Sequence, residues 1–285
     1  LLNRGNPTIN SDFTLRKAGS PYLVNNQAIT VQQGVTLTIE PGVVIKFYND
    51  AGMGVLGKII AQGTVDEPIV FTSFNDDTYG GDLDAASTTP VAGSWYGAEV
   101  LSGGSSFDHT IFRYGGKWYN GMGNTQANLS VKDFPVAISN SVFEYSMVYG
   151  LKLINSNSNI SKSTFSNNEF GLDSQNSSPT IQSNTFRNNR QGLYLSYSPG
   201  TVDINIFESN SLAGLSSAGY LSDFTNNSGF NNGVNAIVLS GNLTQEEEDF
   251  ILSPNPLPYS IRPYETPRVV EFSTLTIQKG TIFKS

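Results

Sequence analysis

The sequence predicts an all-β solenoid with coils of about 21–22 residues, and three recurrences carry that expectation. Phe143, Phe165, Phe186 and Phe207 stand 22, 21 and 21 positions apart in closely related tetrads. A Gly-Leu pair follows each, at Gly150-Leu151, Gly171-Leu172, Gly192-Leu193 and Gly214-Leu215. A third apolar beat falls on Ile160, Ile181 and Val202, and Ser146, Asn168, Asn189 and Asn210 sit three residues after the Phe.

The unit of repetition is strand rather than helix. Asn, Ser and Gly interrupt the apolar runs every few positions, so no stretch sustains the 3.6-residue pattern a helix needs. These residues favour turns, and Asn and Gly tolerate left-handed backbone. Each repeat reads as three short strands joined by tight turns, with successive coils stacked at the ~4.8 Å strand spacing. The Phe and Leu rows would then be inward stacks, and the Asn row an amide ladder at a turn. The pattern resembles the right-handed parallel β-helix, the pectate-lyase-like fold, over most of the chain. A leucine-rich repeat would need denser Leu spacing.

Composition narrows the partners. The chain has 285 residues, 38% of them hydrophobic, enough for a large core. A formal charge of −8 without a basic stripe argues against nucleic acid. Charged residues are only 14%, so solubility rests on Asn, Ser, Thr and Gly, which suits a solenoid surface. With no Cys, disulfides, thiolate nucleophiles and Cys-ligated zinc are excluded, and the lone His109 excludes a multi-histidine site. No apolar run approaches the length of a membrane span.

The early coils follow the same scheme. Ile29-Thr30-Val31, Leu37-Thr38-Ile39 and Val43 to Phe47 are apolar strands, split by Gly34 and Pro41-Gly42. Leu37 to Phe47, Gly63-Thr64, Glu67 to Ser73, the acidic stretch Asp76 to Asp82, and Gly93-Ser94-Trp95-Tyr96-Gly97 together resemble the first coils of bacterial and archaeal cell-surface or secreted β-helix repeat proteins. That resemblance implies an extracellular or cell-surface location more than an activity. Two loop excursions leave the coils, at 74–93 and 115–124. Loops on a rigid scaffold commonly carry function.

A longer repeat overlies the coils. Asp12-Phe13 and Pro21-Tyr22 return as Asp249-Phe250 and Pro258-Tyr259, 237 residues later, and Thr36-Leu37-Thr38-Ile39 returns as Thr274-Leu275-Thr276-Ile277, 238 later. Residues 1–237 are therefore expected to form one β-helix module and 238–285 the opening coils of a second. The acidic run Gln245 to Asp249 is expected to be a solvated linker between them.

Candidate chemistry sits in the excursions. Asp76, Asp77, Asp82 and Asp84, interleaved with Gly80 and Gly81, could supply oxygen ligands to a structural calcium, although the EF-hand spacing is absent and solvated turn acids are the plainer reading. Trp118, Tyr119, Tyr114 and Trp95 could stack on sugar rings, with Trp95 also placed to be core. No pair of carboxylates falls on adjacent coils and one beat, as a glycosidase needs. Asp108 and His109, as neighbours in a strand, should point to opposite faces. The reading is therefore a non-catalytic structural or adhesive module, stacking end to end with neighbouring modules or identical subunits. The alternative is a calcium-assisted carbohydrate-binding β-helix with polysaccharide as partner; a lyase or hydrolase ranks below both.

Overall fold

The computed structural model describes residues 7–48, 50–83, 85, 88–118, 126–261 and 267–284, and among them every regular element is a β-strand. The strands wind into a right-handed parallel β-helix with three sheets as its faces. A twelve-stranded long sheet runs from Thr8–Ile9 to Phe283–Lys284. A nine-stranded sheet runs from Phe13–Leu15 to Asp223–Thr225 and carries the Ile160, Ile181 and Val202 beat. Another nine-stranded sheet, from Tyr22–Asn25 to Ser228–Phe230, carries the Phe beat. We call these the long, Ile and Phe sheets. Every pairing between named strands is parallel and joins one coil to the next, as in Phe165 opposite Phe186 and Leu172 opposite Leu193.

Alternation along each strand puts one side-chain set inside. The Phe rings at 112, 143, 165, 186 and 207 are fully buried and stack face on face at 4.8–5.3 Å between centroids. Burying each ring contributes roughly 1.5–3 kcal/mol. The Leu row at 151, 172, 193 and 215 is buried beside it. The glycine before each Leu is required: a Cβ at Gly171 would lie 2.5 Å from the Gly192 carbonyl oxygen, closer than packed atoms allow.

Two amide ladders tie the corners. At the expected one, Asn189 Oδ1 accepts from Asn168 N at 3.0 Å, and Asn189 Nδ2 donates to the Phe165 carbonyl at 3.0 Å. The ladder runs on to Asn210 and Asn232. A second, between the Ile and Phe sheets, links Asn184, Asn205 and Asn227 in the same way. Asn184 and Asn205 open the tetrads that carry Phe186 and Phe207, one residue ahead of each strand.

The corners themselves turn on single left-handed residues. Asn140 (φ 48°), Lys162 (φ 50°), Ser183 (φ 59°), Ile204 (φ 54°) and Asn226 (φ 53°) recur between the Ile and Phe sheets. Asn fits this conformation, whereas a β-branched Ile is strained there. The coil geometry imposes the turn regardless of which residue occupies it.

Candidate functional site

The outward residues of the long sheet form the most chemically varied face. Its central row reads Glu99, Ser130, Lys152, Asp173, Tyr194 and Ser216, each a register partner of the next. Beside it Tyr149 and Phe170 pair at the strand starts, their rings 5.3 Å apart. Phe170 meets Tyr194 edge-on at 6.1 Å, and Lys152 Nζ lies 4.3 Å from the Tyr149 ring centroid. Three half-buried rings and an ammonium thus surround Asp173.

Asp173 is the anomaly of this face. It is 2% exposed although it points outward, and its Oδ1 has no hydrogen-bond donor. Burial pushes its carboxyl up to about 6, against the opposing pull of Lys152 and a hydrogen bond from Gln175. Burial, with the nearby Asp173 and Glu169 carboxylates, also raises the Tyr149 hydroxyl. The buried hydroxyls of Ser130 and Ser216, on the same row, lack partners as well. An acceptor this deep without a donor is costly. Sequence reading missed this face because strand residues at one beat differ in type, leaving no motif; the signal was the outward register of Lys152, Asp173 and Tyr194.

The acidic excursion does something different from what was expected of it. Asp76 is 1% exposed and turns inward: its Oδ2 accepts from Thr72 Oγ1 at 2.6 Å and lies 3.4 Å from Arg113 Nη1. Arg113 Nε faces Glu144 Oε1 at 3.2 Å, off the hydrogen-bond axis, and Nη2 donates to the Tyr114 hydroxyl at 3.1 Å. The guanidinium also lies 5.4, 4.8 and 5.6 Å from the Tyr79, Tyr114 and Tyr145 ring centroids. Burial raises the Glu144 carboxyl, although Arg113 pulls it down. This is an ionic clamp that holds the 74–93 excursion on the outer face of the Phe sheet. Asp77 is exposed, and Asp82 Oδ1 accepts from Ala85 N at 2.8 Å. Asp84 lies outside the described residues. Asp76, one of the acids named for calcium, is thus taken up by Thr72 and Arg113, and no group of three metal-ligating side chains forms among the described residues.

The aromatic set divides too. Trp95 as a sugar contact is corrected: it is fully buried, stacked on Phe47 at 4.1 Å, and its Nε1 donates to the Arg113 carbonyl at 2.8 Å. It lies in the bend ahead of the strand Ala98–Val100 and points inward, so no solvent-borne ring can reach it. Tyr114 stacks on Tyr145 at 5.2 Å and serves the clamp. Trp118 is 53% exposed, next to Lys117, which pairs with Asp50 on the rim of a polar cavity of about 490 Å³ that Tyr48 and Asn75 also line. Tyr119 lies outside the described residues.

Asp108 and His109 meet rather than diverge, with His109 Nδ1 and Asp108 Oδ2 2.9 Å apart. His109 occupies a left-handed corner (φ 45°), so strand alternation does not apply to it. Burial alone would raise Asp108, but hydrogen bonds from Ser139, Asn140 and His109 hold its carboxyl below the ordinary value. Both carboxylate oxygens are engaged, which makes the pair a corner brace.

Residues 94–248, more than half the chain, match the family model described as a right handed beta helix region. The chain belongs to that family. This β-helix protein also matches, over residues 7–102, the pectate-lyase like beta helix domain. It is similar to Protein bark beetle of Drosophila melanogaster, 37% identical over 78 residues, or 27% of this chain and 2% of that protein. It therefore spans a small fraction of that relative's length. Among solved structures, a mutant of the periplasmic alginate epimerase AlgG superimposes with a TM-score of 0.50 at 13% identity, covering 93% of this chain and 79% of the other. The A-module of the Azotobacter vinelandii mannuronan C-5 epimerase AlgE6 overlaps with a TM-score of 0.40 at 13% identity, covering 99% and 91%. At these identities the likeness concerns the fold. Among the described residues, no helix is long and apolar enough to cross a membrane.

Proposed function

We propose that this chain is a rigid adhesive module of an extracellular protein, in which the coil stack is the spacer and the outer long sheet is the surface that contacts polysaccharide. The observation that carries this reading is the outward cluster of Tyr149, Phe170 and Tyr194 with Lys152, packed around the buried Asp173. Sugar C–H faces suit the half-buried rings of Tyr149, Phe170 and Tyr194, and Lys152 favours an acidic sugar. The polysaccharide-directed names of the structural neighbours agree in ligand class.

Binding of the whole chain to immobilised acidic and neutral glycans tests it. Tyr194→Ala and Lys152→Ala should each weaken binding to acidic glycans about tenfold, the worth of one ring or charge contact. Trp118→Ala, at the exposed tryptophan of the second excursion, should leave it unchanged. Retention by the first two with loss on Trp118→Ala moves the site to the excursion; no binding at all removes the adhesive half of the reading. Repeating the series with chelator tests calcium assistance, which a chelator-sensitive affinity would support.

A second reading, a polysaccharide-acting enzyme, is favoured by the Asp173 carboxyl near 6 beside Tyr149 and Lys152. Assays for new reducing ends and unsaturated products on the bound glycan separate the two, since a flat response dismisses turnover of either kind.

A further inference from the structure

The long-period repeat of the sequence is made again as structure. Thr36 N donates to Asp12 Oδ1 at 2.8 Å, and Thr274 N to Asp249 Oδ1 at 2.7 Å. The Tyr22 hydroxyl donates to the Arg16 carbonyl at 2.8 Å, and that of Tyr259 to the Ser253 carbonyl at 2.9 Å. Phe13 pairs with Leu37 as Phe250 pairs with Leu275, and Tyr22 pairs with Ile45 as Tyr259 pairs with Phe283. Gly42 and Gly280 are left-handed alike. The described residues 243–261 and 267–284 thus repeat the local pairing of residues 7–46, although Ser253 replaces Arg16 and Phe283 replaces Ile45.

The two copies differ in the sheet they enter. Tyr22–Asn25 and Val44–Tyr48 open the Phe sheet, whereas their counterparts Tyr259–Ile261 and Phe283–Lys284 extend the long sheet, Ile237 pairing with Tyr259 and Leu239 with Ile261. The counterparts of the first Ile-sheet strands stand as a two-stranded sheet of their own. The contact is packed rather than a free linker. Leu243, Leu252, Leu257 and Tyr259 are buried in the same continuous core as the earlier coils, and Leu257 N donates to the Asn227 carbonyl at 3.0 Å. The acidic run 246–249 is an exposed bend between Thr244 and Phe250, so the expected solvated linker is confined to that bend.

The far side of the second copy is uncovered. Ile277 and Phe283 are 53% and 41% exposed, against 1% and 0% for Ile39 and Ile45. In the first copy those positions lie under the next coil, through Lys58–Gln62 and Ile69–Ser73. The occupant this surface fits is a coil of that same sequence type.

We propose that residues 243–284 are the start of a second unit of this β-helix, and that consecutive units join with their faces advanced by one sheet, each open end being covered by the following coil of the same unit. A unit's long-sheet face would then point in a different direction from its predecessor's, distributing contact faces around a rod instead of along one side.

The cysteine-free chain permits a direct test. Stacking with the faces in phase would set Ser260, the counterpart of Leu23, beside Phe230 on the Phe sheet; the advanced junction sets it beside Val238. In the full chain, Val238→Cys with Ser260→Cys should cross-link through a short bis-maleimide, and Phe230→Cys with Ser260→Cys should not. The reverse result, or no cross-link in either, overturns the proposed junction. Extending the full chain after Lys284 with residues 47–241 should give one continuous rod by electron microscopy, with amide exchange at 275–284 slowed to that of 37–46. Two bodies on a flexible link, or unchanged exchange there, would overturn the proposed occupant.

Discussion

The coils from 137 to 230 and those from 44 to 118 solve the same corner differently. In the later region one residue type does the work: Asn168, Asn189, Asn210 and Asn232 each hold the Phe carbonyl of the preceding coil. In the earlier region the excursions break that ladder, and residues of one-off design take over. Asn128 Nδ2 reaches back across the second excursion to the Phe112 carbonyl at 3.1 Å, Trp95 holds the Arg113 carbonyl, and Arg113 itself is caged between Asp76 and Glu144. A periodic region distributes its stabilisation over many equal contacts. An interrupted one concentrates it in a few, which makes it the fragile part.

That contrast can be broken at Arg113. Arg113→Ala leaves Asp76 and Glu144 buried without their cation and should cost about 3–5 kcal/mol. Chemical denaturation and proteolysis within 74–93 read the loss, and coils past Phe165 should stay protected from exchange. In the periodic region Phe186→Ala opens a gap between two stacked rings and should cost about 3–5 kcal/mol as well, but with loss of protection spreading to both neighbouring coils.

Asn189→Ala removes the acceptor of the Asn168 amide and the donor to the Phe165 carbonyl, for about 1–3 kcal/mol. A cost near zero would mean that water replaces the ladder, and the two regions would then be less different than their contacts suggest.

Asp173→Asn should raise stability. A carboxyl raised from 3.8 to about 6 favours the folded state fully below pH 4, and that advantage disappears as pH climbs through 6. At pH 7 the ionised form costs about 3 kcal/mol at most, so the variant should gain up to that amount there and lose the pH dependence between 4 and 7. Thermal melts across that range check it; a destabilised variant at pH 7 would mean that Lys152 and Gln175 outweigh the cost of burial.

The smallest effect expected is at Ile204. Ile204→Asn places at a left-handed corner the residue that Asn140 and Asn226 already supply in the same row, and should add about 1 kcal/mol to stability in denaturant melts.

The rows were legible because a solenoid repeats its environment: position Phe165 meets what Phe186 meets, so composition recurs and can be counted. The Asn ladder and the 237-residue self-match were readable for the same reason. Trp95, Asp76 and His109 were harder. Each sits where an excursion or a left-handed corner changes its direction, and neighbouring letters do not encode that change. The burial of Asp173 was not legible because it comes from side chains one coil away on either side.

The sequence by itself determined the coil length, the inward rows and the residues that tie one coil to the next, because those depend on the 21–22-residue period alone. Tertiary structure decided which sheet the second copy enters, which acid faces Arg113 and which faces solvent, and how deep Asp173 lies. These follow from where a loop lands and how one stack rotates on another, and a one-dimensional period carries no information about rotation.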